Sequence, residues 1–365
     1  MKEDITNELI GRNEYSVIGV MSGTSLDGLD LALVHFTRNS PITPWTFEIQ
    51  QTETLTYPEK LQSQLKEAIT FSEDMLNKLN ETLGYYIGEA IRNFLQRSES
   101  QVDLIASHGH TVFHQPEKGV TLQIGSGQRI FDAVGIPVVS NFRQADVKAG
   151  GQGAPLVPIG DRDLFTEYDL ALNLGGIANI SFNKNGSRLA FDICPFNMAL
   201  NEFADQKGLR YDSGGELASG GRVDTNLLQA LNDVGYIHKP APKSLGLEDY
   251  LQDWQPLLRN SSICLEDKMA TYVEHAAIQI ADVINNSSGH SVLVTGGGAY
   301  HDFFISRLKR FSRAYVVLPS QEIIEFKEAL VFAYLGLLRL ENKANCLASV
   351  TGADYDVCGG DIVGL

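Results

Sequence analysis

Residues 17–36 read VIGVMSGTSLDGLDLALVHF, and this stretch decides how the first part of the chain folds. Two apolar runs, 17–21 and 29–36, flank a loop of small polar residues and glycines, which predicts strand, loop, strand. Such a loop offers backbone N–H groups and hydroxyls that together bind phosphate. The GxxxxGK[ST] string of a Walker loop does not occur. Two interpretations are open: a phosphate-binding hairpin of another kind, or an ordinary tight hairpin with glycine in its turn.

Similar arrangements recur further along the chain. The apolar run 169–174 ends in GGIAN and resumes at 180–182, whereas the run 291–295 ends in three glycines before a helical pattern. Backbone without side chains lets a planar ligand approach, and the start of a helix adds partial positive charge. The alternative for each glycine group is a tight turn. Two similar hairpins in the two halves of the chain indicate two related lobes.

Composition restricts the class of protein. The chain has 365 residues, which favours two domains. A hydrophobic content of 43% and a charged content of 20% are typical of a globular enzyme and not of a disordered chain. The net charge of -16 disfavours nucleic acid and anionic membranes as partners. An anionic ligand must therefore be held by local donors and not by the overall field.

The cellular compartment is predicted from cysteines and from apolar runs. The four cysteines show no CxxC spacing, which favours reduced thiols. The N-terminal residues are polar and lack the apolar core of a signal peptide. The longest apolar run, 329–338, is far shorter than the ~18 residues of a membrane span. These features predict a cytoplasmic protein.

The remaining patterns predict helices and strands in alternation, and hence an α/β fold. Strands are predicted at 45–57, 102–107, 121–125, 138–141 and 189–194, helices at 58–98, 128–134, 195–207, 265–285, 300–311 and 326–340, and a Gly/Ser-rich loop at 213–222.

Specific motifs run along the chain in one order: GVMSGTSLDGLD, SHGHTVFHQP, TLQIGSGQRI, GGQGAPLVP, NLGGIANIS, PKSLG, VTGGGA, EALVFAYLG and LASVTGA. Together they resemble the anhydro-N-acetylmuramic acid kinases over nearly the whole chain. The resemblance implies the fold of the sugar kinase, Hsp70 and actin superfamily, with two ribonuclease-H-like lobes around a central ATP cleft. We expect these lobes at 1–160 and 161–344, with the segment 345–365 as a candidate to complete the first.

The resemblance also implies ATP and Mg²⁺ as cofactors and identifies the residues that bind them. The nucleotide loop of the family corresponds to Gly23, Thr24, Ser25, Leu26, Asp27, Gly28, Leu29 and Asp30. Its second phosphate loop corresponds to Asn173, Gly175 and Gly176, and its adenosine segment to Gly296, Gly297 and Gly298. Asp27 or Asp30 is a candidate Mg²⁺ contact, because Mg²⁺ keeps several waters and takes few carboxylates. The alternative for either is a carboxylate that caps the loop.

The general base of the family is the Asp that opens a DTGPGN string, which corresponds here to Asp192 and the residues that follow. Asp192, Pro195 and Asn197 are kept, whereas Ile, Cys and Phe replace the Thr and the two Gly. These replacements add side chains next to the expected base. A carboxylate at a strand end suits a base, and the alternative is a carboxylate that caps the helix after Pro195.

Further candidates are implied for the sugar. His108 lies in a loop that the resemblance places near the substrate, where the family usually has Gln in place of His110. His108, His110 and His114 also form an HxHxxxH spacing, for which a metal site is the alternative. Arg143 suits the lactyl carboxylate of the substrate, or else an ion pair with Asp146 or Asp163.

Gln152 in the GGQGAP loop and Asn197 are the remaining substrate candidates. The glycines on either side of Gln152 suit a hinge or a sugar-binding loop.

The resemblance implies a kinase that hydrolytically opens 1,6-anhydro-N-acetylmuramic acid and phosphorylates O6, giving N-acetylmuramic acid 6-phosphate in peptidoglycan recycling. Asp192 would accept the proton of the attacking water. Two alternatives remain open: a kinase for a different sugar, because of the replacements after Asp192, and an ATP-binding regulator without turnover. A small amino sugar is the expected partner, and relatives imply a homodimer.

Overall fold

The computed structural model describes residues 10–23, 26, 28–98 and 100–365. The predicted nucleotide contacts Thr24, Ser25 and Asp27 lie outside these residues. The chain divides into two compact units: unit 1 comprises Met1–Phe165 and Phe326–Leu365, and unit 2 comprises Thr166–Glu325. This division differs from the expected lobes mainly in residues 326–344, which belong to unit 1 together with the C-terminal segment.

The strands are β1 (Glu14–Ser22), β2 (Leu29–Thr37), β3 (Thr46–Leu55), β4 (Leu104–Gln115), β5 (Val120–Ile124), β6 (Val138–Ser140), β7 (Leu170–Leu174), β8 (Ile177–Lys184), β9 (Ser187–Pro195), β10 (Ser291–Thr295), β11 (Tyr315–Val317) and β12 (Asp361–Val363).

The helices are α1 (Glu59–Glu67), α2 (Glu73–Leu95), α3 (Gly127–Val134), α4 (Gln144–Lys148), α5 (Pro158–Leu164), α6 (Asn197–Asp205), α7 (Glu216–Gly220), α8 (Thr225–Asn232), α9 (Leu247–Asp249), α10 (Gln255–Asn260), α11 (Leu265–Asn285), α12 (Asp302–Phe311), α13 (Gln321–Leu340) and α14 (Ala348–Thr351).

The sheets of both units have the same strand order. In unit 1 the order is β12-β6-β4-β1-β2-β3, with β5 paired to β4, and in unit 2 it is β11-β10-β7-β8-β9. Each begins with three antiparallel strands, and the fourth strand lies parallel to the first on its other side. This is the ribonuclease-H-like order. The predicted fold class, α/β with two ribonuclease-H-like lobes, is therefore confirmed within each unit.

Helices cover both faces of the unit 1 sheet, which explains why β1 is buried at almost every position. The core on one face contains the buried residues of α1 and α2. On the other face, α13 approaches so closely that a Cβ at Gly19 would overlap the carbonyl group of Ala329. Gly336 of α13 lies in the same way against Ala106. This close packing of α13 on β1 and β4 places the residues after Glu325 in unit 1.

The core of unit 2 is built around α11, which was predicted at its observed bounds. Most of this helix is buried, and its apolar residues pack with those of β7, β8, β9 and α12. None of the helices in the described ranges has the length and continuous hydrophobicity needed to cross a bilayer.

Several local predictions were wrong. The helix predicted at 58–98 is interrupted: α1 ends at Glu67, a 3-10 turn spans Ala68–Thr70, and α2 begins at Glu73. Residues 213–222 were predicted as a loop, yet they contain a 3-10 turn and the short helix α7, because the Asp212 carboxylate accepts hydrogen bonds from the N–H groups of Leu217 and Ala218. The strand predicted at 102–107 continues to Gln115, so His108 and His110 lie within β4 and not in a loop. Pairing with β5 extends the strand past them.

Candidate functional site

The β1–β2 hairpin forms where the sequence predicts it. The two strands pair in continuous register from Glu14↔Thr37 to Ser22↔Leu29, and the N–H of Leu26 donates to the carbonyl of Gly23 at 3.2 Å. Leu26 has a φ of 56°, and Gly28 lies so close to Thr54 and Leu55 of β3 that a Cβ would not fit. Glycine at position 28 is therefore required by packing.

Asp30 lies beside this loop on β2. Its Oδ1 accepts a hydrogen bond from the Thr54 hydroxyl at 2.6 Å. A magnesium ion held mainly by phosphate oxygens and water needs only one or two protein carboxylates, so a single partly exposed carboxylate at this position suits it. Within the described ranges, no group of three or more His, Cys, Asp or Glu residues is arranged to hold a metal ion by itself.

A chain of buried hydrogen bonds holds the start of the loop. The Tyr57 hydroxyl donates to Ser22 Oγ at 2.7 Å, and Ser22 Oγ lies 3.3 Å from His110 Nδ1. Burial raises the pKa of Tyr57 well above its usual value, so its hydroxyl remains a donor. Burial also lowers the pKa of His110, which keeps it neutral. His110, where the family usually has Gln, therefore serves here to fix Ser22.

His108 and Arg143 lie together. Arg143 Nε donates to His108 Nε2 at 3.0 Å, and its Nη1 donates to the carbonyl of Gly153 at 2.6 Å. Burial lowers the pKa of His108 well below its usual value and lowers that of Arg143 to about 10, so the histidine is neutral and the guanidinium charged. The His108 ring also packs on Phe332 at 4.7 Å. Both predicted substrate residues thus belong to one cluster.

Two alternatives were open for these residues: an ion pair of Arg143 with Asp146 or Asp163, and a metal site at the three histidines. Neither is observed among the described residues. In the described part of the chain, Asp163 pairs with Arg162, and Asp146 binds backbone and hydroxyl groups. His114 Nδ1 lies 3.2 Å from the Thr121 hydroxyl. The HxHxxxH spacing therefore reflects three separately hydrogen-bonded histidines.

Asp146 organises the GGQGAP loop. This carboxylate is fully buried, and it accepts hydrogen bonds from the Gly153 N–H and the Thr351 hydroxyl, both at 2.7 Å. The N–H of Gln152 donates to the carbonyl of Thr351 at 2.8 Å, while the Gln152 side chain is exposed. The two motifs GGQGAP and LASVTGA, far apart in sequence, are thereby joined, and Gln152 is held with its side chain in solvent.

Glu328 is a further ionisable group near this cluster. The sequence did not distinguish between two roles for it, a residue of the functional site and an acidic residue that stabilises the start of a helix. Burial raises its pKa, the positive charges of Lys327 and Arg143 oppose that rise, and Asp30 adds to it. The charges of Arg143 and Asp30 thus both act on the Glu328 carboxyl group. Only the folded chain could show this coupling.

The predicted phosphate loop of unit 2 is the β7–β8 hairpin. Asn197 at the start of α6 holds it: its N–H donates to the Gly175 carbonyl at 3.1 Å, and its Nδ2 donates to the Leu174 carbonyl at 3.0 Å. A Cβ at Gly175 or Gly176 would meet nothing closer than 3.5 Å, and neither has a left-handed φ. Packing therefore does not require glycine at either position, and the bare backbone is open to a ligand.

The three glycines after β10 differ among themselves. Gly296 has a φ of 83° and lies against Asn173 and Leu174, and a Cβ at Gly298 would overlap the ring of Phe196. Gly297, in contrast, has no left-handed φ, and the nearest atom to its Cβ position lies 3.9 Å away on Asn197. The structure thus brings the second phosphate loop, Asn197 and the adenosine segment together, with Gly297 open.

Asp192 lies near the end of β9, opposite Asn179 of β8, and is half-buried. Its Oδ2 accepts a hydrogen bond from the Leu245 N–H at 2.9 Å, and its own N–H donates to the Lys243 carbonyl at 3.0 Å. Burial raises its pKa to about 6, and the Leu245 hydrogen bond opposes that rise. The PKSLG segment thus holds the carboxylate, and it caps no helix.

The three replacements after Asp192 are absorbed by the core of unit 2. Ile193 is 2% exposed, whereas Cys194 and Phe196 are fully buried. The Phe196 ring packs edge-on against Phe304 at 4.6 Å. Burial raises the pKa of Cys194 to about 12, so its thiol is neutral and unreactive. The three side chains are therefore part of the packed interior of unit 2.

Two units of ribonuclease-H-like order, each with a glycine-rich hairpin between its first two strands, define a protein of the sugar kinase, Hsp70 and actin class. A sequence model of the anhydro-N-acetylmuramic acid kinases matches residues 15–364. The chain belongs to this family.

The sequence also aligns with named relatives over almost their full lengths. The chain is 34% identical over 368 residues to the anhydro-N-acetylmuramic acid kinase of Saccharophagus degradans, a match that covers 94% of this chain and 98% of that protein. It is 35% identical over 366 residues to that of Pasteurella multocida, covering 94% and 96% respectively.

Among solved structures, it is similar to a dehydratase activator from Clostridium difficile with bound ADPNP, at a TM-score of 0.44 and 12% identity over 90% of this chain and 96% of that one. A ROK family glucokinase from Streptomyces griseus with glucose and AMPPNP gives a TM-score of 0.42 at 12% identity, over 88% and 99%.

Proposed function

We propose that this protein is an ATP-dependent kinase that opens 1,6-anhydro-N-acetylmuramic acid with water and phosphorylates O6, in the recycling of peptidoglycan. Membership of the family supports the reaction. The observation that carries the assignment of roles is the Asp192 carboxylate, which is half-buried, anchored through one oxygen to Leu245, and has a pKa of about 6. A carboxylate with this pKa is ionised at neutral pH and basic enough to take a proton from water.

The chemistry assigned to the chain is a single proton transfer. Asp192 accepts a proton from the water whose oxygen forms the new bond to C1, and the bond from C1 to O6 breaks. An inverting glycosidase supplies an acid to the departing oxygen. In this reaction the γ-phosphoryl group of Mg-ATP would supply the electrophile for that oxygen: a P–O6 bond forms, the bond from the γ-phosphorus to the bridging oxygen of ADP breaks, and ADP leaves. The remaining contribution of the chain is to position the sugar and to exclude competing water.

The nucleotide residues are assigned from both units. We assign Gly23, Leu26, Gly28, Leu29 and Asp30 of unit 1, with the neighbouring Thr24, Ser25 and Asp27, to ATP and its Mg²⁺ ion. In unit 2 we assign Asn173, Gly175, Gly176 and Gly296–Gly298 to the binding of ATP. The openness of Gly175, Gly176 and Gly297 supports this assignment, because packing does not account for glycine there.

We assign four residues to the binding of the sugar: His108, Arg143, Gln152 and Asn197. The charged Arg143 beside the neutral His108 supports recognition of the lactyl carboxylate. Asn197 holds the β7–β8 hairpin through two hydrogen bonds. We therefore assign it two roles, to position this hairpin and to contact the sugar. We further propose a cytoplasmic location, where ATP is supplied, and a homodimer, which sedimentation of the purified chain would test.

Isotope transfer tests the reaction. The protein is mixed with Mg-ATP and the anhydro sugar in ¹⁸O-labelled water, and the phosphosugar is examined by mass spectrometry. We expect one ¹⁸O atom at C1 and none in the phosphoryl group. A product without label at C1 would rule out attack by water, and ATP binding without ADP release would favour the regulator.

A further inference from the structure

The segment that connects α8 to α9, residues 233–246, contains no helix or strand. Tyr236 and Leu245 are buried in the core of unit 2, whereas residues 238–242 between them are exposed. This segment nevertheless holds Asp192, the proposed base, through three hydrogen bonds. Because connecting segments are usually more mobile than the elements they join, a base held in this way requires that the segment itself be fixed.

The three hydrogen bonds act on different parts of Asp192. Its N–H donates to the carbonyl of Lys243 at 3.0 Å, and its own carbonyl accepts from the Tyr236 hydroxyl at 2.8 Å. Only the third bond reaches the carboxylate, whose Oδ2 accepts from the Leu245 N–H at 2.9 Å. The orientation of the carboxylate therefore depends on the positions of residues 236, 243 and 245 relative to one another.

The side chain of Lys243 joins the two ends of the segment. Its Nζ donates to the carbonyls of Tyr236 at 3.0 Å and Ile237 at 2.9 Å, and it lies 4.5 Å from the centroid of the Tyr236 ring. An ammonium group over an aromatic face adds attraction to these two hydrogen bonds. Asp192, Tyr236 and Lys243 are thus linked in a closed hydrogen-bonded ring, in which the Lys243 ammonium group is the only charged member.

The other ionisable groups that interact with Asp192 in unit 2 are uncharged. Tyr236 and Cys194 both interact with its carboxylate, and burial raises the pKa of each, so both are neutral near pH 6. The charged groups that act on Tyr236 and Lys243 are Asp249 and Lys239.

The Leu245 N–H is the group that opposes the rise in the pKa of Asp192. A hydrogen bond to the charged form of an acid lowers its pKa, so displacement of this N–H would raise the pKa of Asp192 further. Leu245 follows Lys243 by two residues. A movement of Lys243 is therefore passed directly to the donor on the carboxylate.

We infer that Lys243 is a positioning residue for the proposed base: its ammonium group closes the hydrogen-bonded ring and so keeps the Leu245 N–H on the Asp192 carboxylate. For this role Lys243 need not touch the sugar or the nucleotide. The inference rests on the proposed function for what the carboxylate does in the reaction. A lysine that only stabilised the segment would leave the pKa of Asp192 unchanged.

Titration of Asp192 in the full chain tests the inference. The protein is labelled with ¹³C at its aspartate carboxyl groups, and the Asp192 signal is the one absent from Asp192→Asn. The variant is Lys243→Met, and the matched control is Lys239→Met, since the exposed Lys239 also lies near the Tyr236 ring, with its Nζ 5.4 Å from the centroid. Both remove one positive charge, but only Lys243→Met opens the ring.

We expect the midpoint of the Asp192 titration to be about 6 in the wild type and in Lys239→Met. In Lys243→Met it should be higher by about 1 pH unit, because a hydrogen bond to the charged carboxylate is weakened. An unchanged or lowered midpoint in Lys243→Met would overturn the inference. Equal shifts in both lysine variants would also overturn it, because they would show an effect of charge and not of the ring.

A second variant covers the case in which thermal unfolding shows that Lys243→Met does not fold. Tyr236→Phe keeps the aromatic ring and removes the hydroxyl that donates to the Asp192 carbonyl, so it opens the hydrogen-bonded ring at another bond. It should raise the midpoint of the Asp192 titration by about 0.5 pH unit. A folded Tyr236→Phe with the wild-type midpoint would refute the inference.

ADP release measured on the same samples distinguishes failure of this inference from failure of the proposed function. With Mg-ATP and the anhydro sugar, the acidic limb of kcat should move upward in pH by the same amount as the carboxyl titration. The expected titration shift without ADP release from the wild type would refute the proposed function alone. ADP release together with an unchanged titration midpoint in Lys243→Met would refute the role of Lys243 alone.

Discussion

Replacing Asp192 by Asn tests the base and the structure around it in one variant. The amide has nearly the same shape as the carboxylate, and its oxygen still accepts from the Leu245 N–H, which Asp192 Oδ2 accepts at 2.9 Å. The backbone hydrogen bonds to Lys243 and Tyr236 do not involve the side chain and remain. The substitution therefore removes the basic group and its charge and leaves the local fold in place.

The expected loss of activity follows from the role of the carboxylate. A positioned general base typically contributes 10²- to 10⁴-fold, so kcat should fall by about 10³-fold. Because the γ-phosphoryl electrophile and the phosphate loops are untouched, the KM for ATP should change less than about threefold, which corresponds to about 0.6 kcal/mol. Coupled measurement of ADP release at saturating sugar gives both constants.

The pH dependence provides an independent signature. Burial raises the pKa of Asp192 to about 6 in the folded protein, so the wild-type rate should fall tenfold per pH unit below about pH 6 as the carboxylate becomes protonated. The residual activity of Asp192→Asn should lack this limb, because the amide does not titrate.

Whereas Asp192→Asn should lower the activity, it should raise the stability of the folded protein. The folded-state pKa of about 6 lies above the ordinary value of 3.8, so the folded protein binds this proton more tightly than the unfolded chain does. The Asp192 contribution to stability therefore falls as the pH rises from about 4 to about 6, and the full cost is present at higher pH. At 1.36 kcal/mol per pKa unit the cost is about 3 kcal/mol.

Since Asp192 is only half-buried, we expect Asp192→Asn to stabilise the protein by about 1–3 kcal/mol at pH 8 and by almost nothing at pH 4. Urea unfolding at both pH values measures this gain. A variant that keeps more than a tenth of wild-type turnover, or one that shows no gain at pH 8, would refute the reasoning about the base or its burial respectively.

Other substitutions probe the glycines and the hydrogen-bonded supports. Gly176→Ala should leave the unfolding midpoint unchanged and raise the KM for ATP about tenfold, whereas Gly298→Ala should lower the stability by about 1–3 kcal/mol because its methyl group overlaps a core ring. Denaturation and ADP-release assays distinguish the two effects. Equal destabilisation by both variants would contradict the openness of Gly176. Asp146→Asn should cost about 1–3 kcal/mol and raise the sugar KM, because one of its two buried hydrogen bonds, to Gly153 or Thr351, is lost; an unchanged sugar KM would separate this carboxylate from the site. Tyr57→Phe should cost about 1 kcal/mol by leaving Ser22 without its donor, and a larger KM for ATP is expected from the same cause; unchanged nucleotide binding would show that this hydrogen bond does not order the loop.

Several features were determined by the sequence alone, because they depend on residues close together along the chain. The alternation of apolar residues and the glycines between them predicted the β1–β2 and β7–β8 hairpins, and the helical spacing predicted α11 at its observed bounds. The motif order identified the family. Asp192 was selected from the sequence because Asp192, Pro195 and Asn197 match the family string; it lies near the end of β9, and its role as the base stays a prediction.

Other features were decided only by the tertiary structure, because they depend on contacts between distant segments. Leu245 anchors Asp192 from 53 positions away, and the Thr351 hydroxyl donates to Asp146 from 205 positions away. Sequence alone treated Gly297 and Gly298 alike, whereas packing shows that a ring excludes a side chain from one and leaves the other open. The hydrogen-bonded ring around Asp192 likewise forms only once β9 packs against the segment between α8 and α9, since the partners of a buried polar group are a property of the packed environment and not of local sequence.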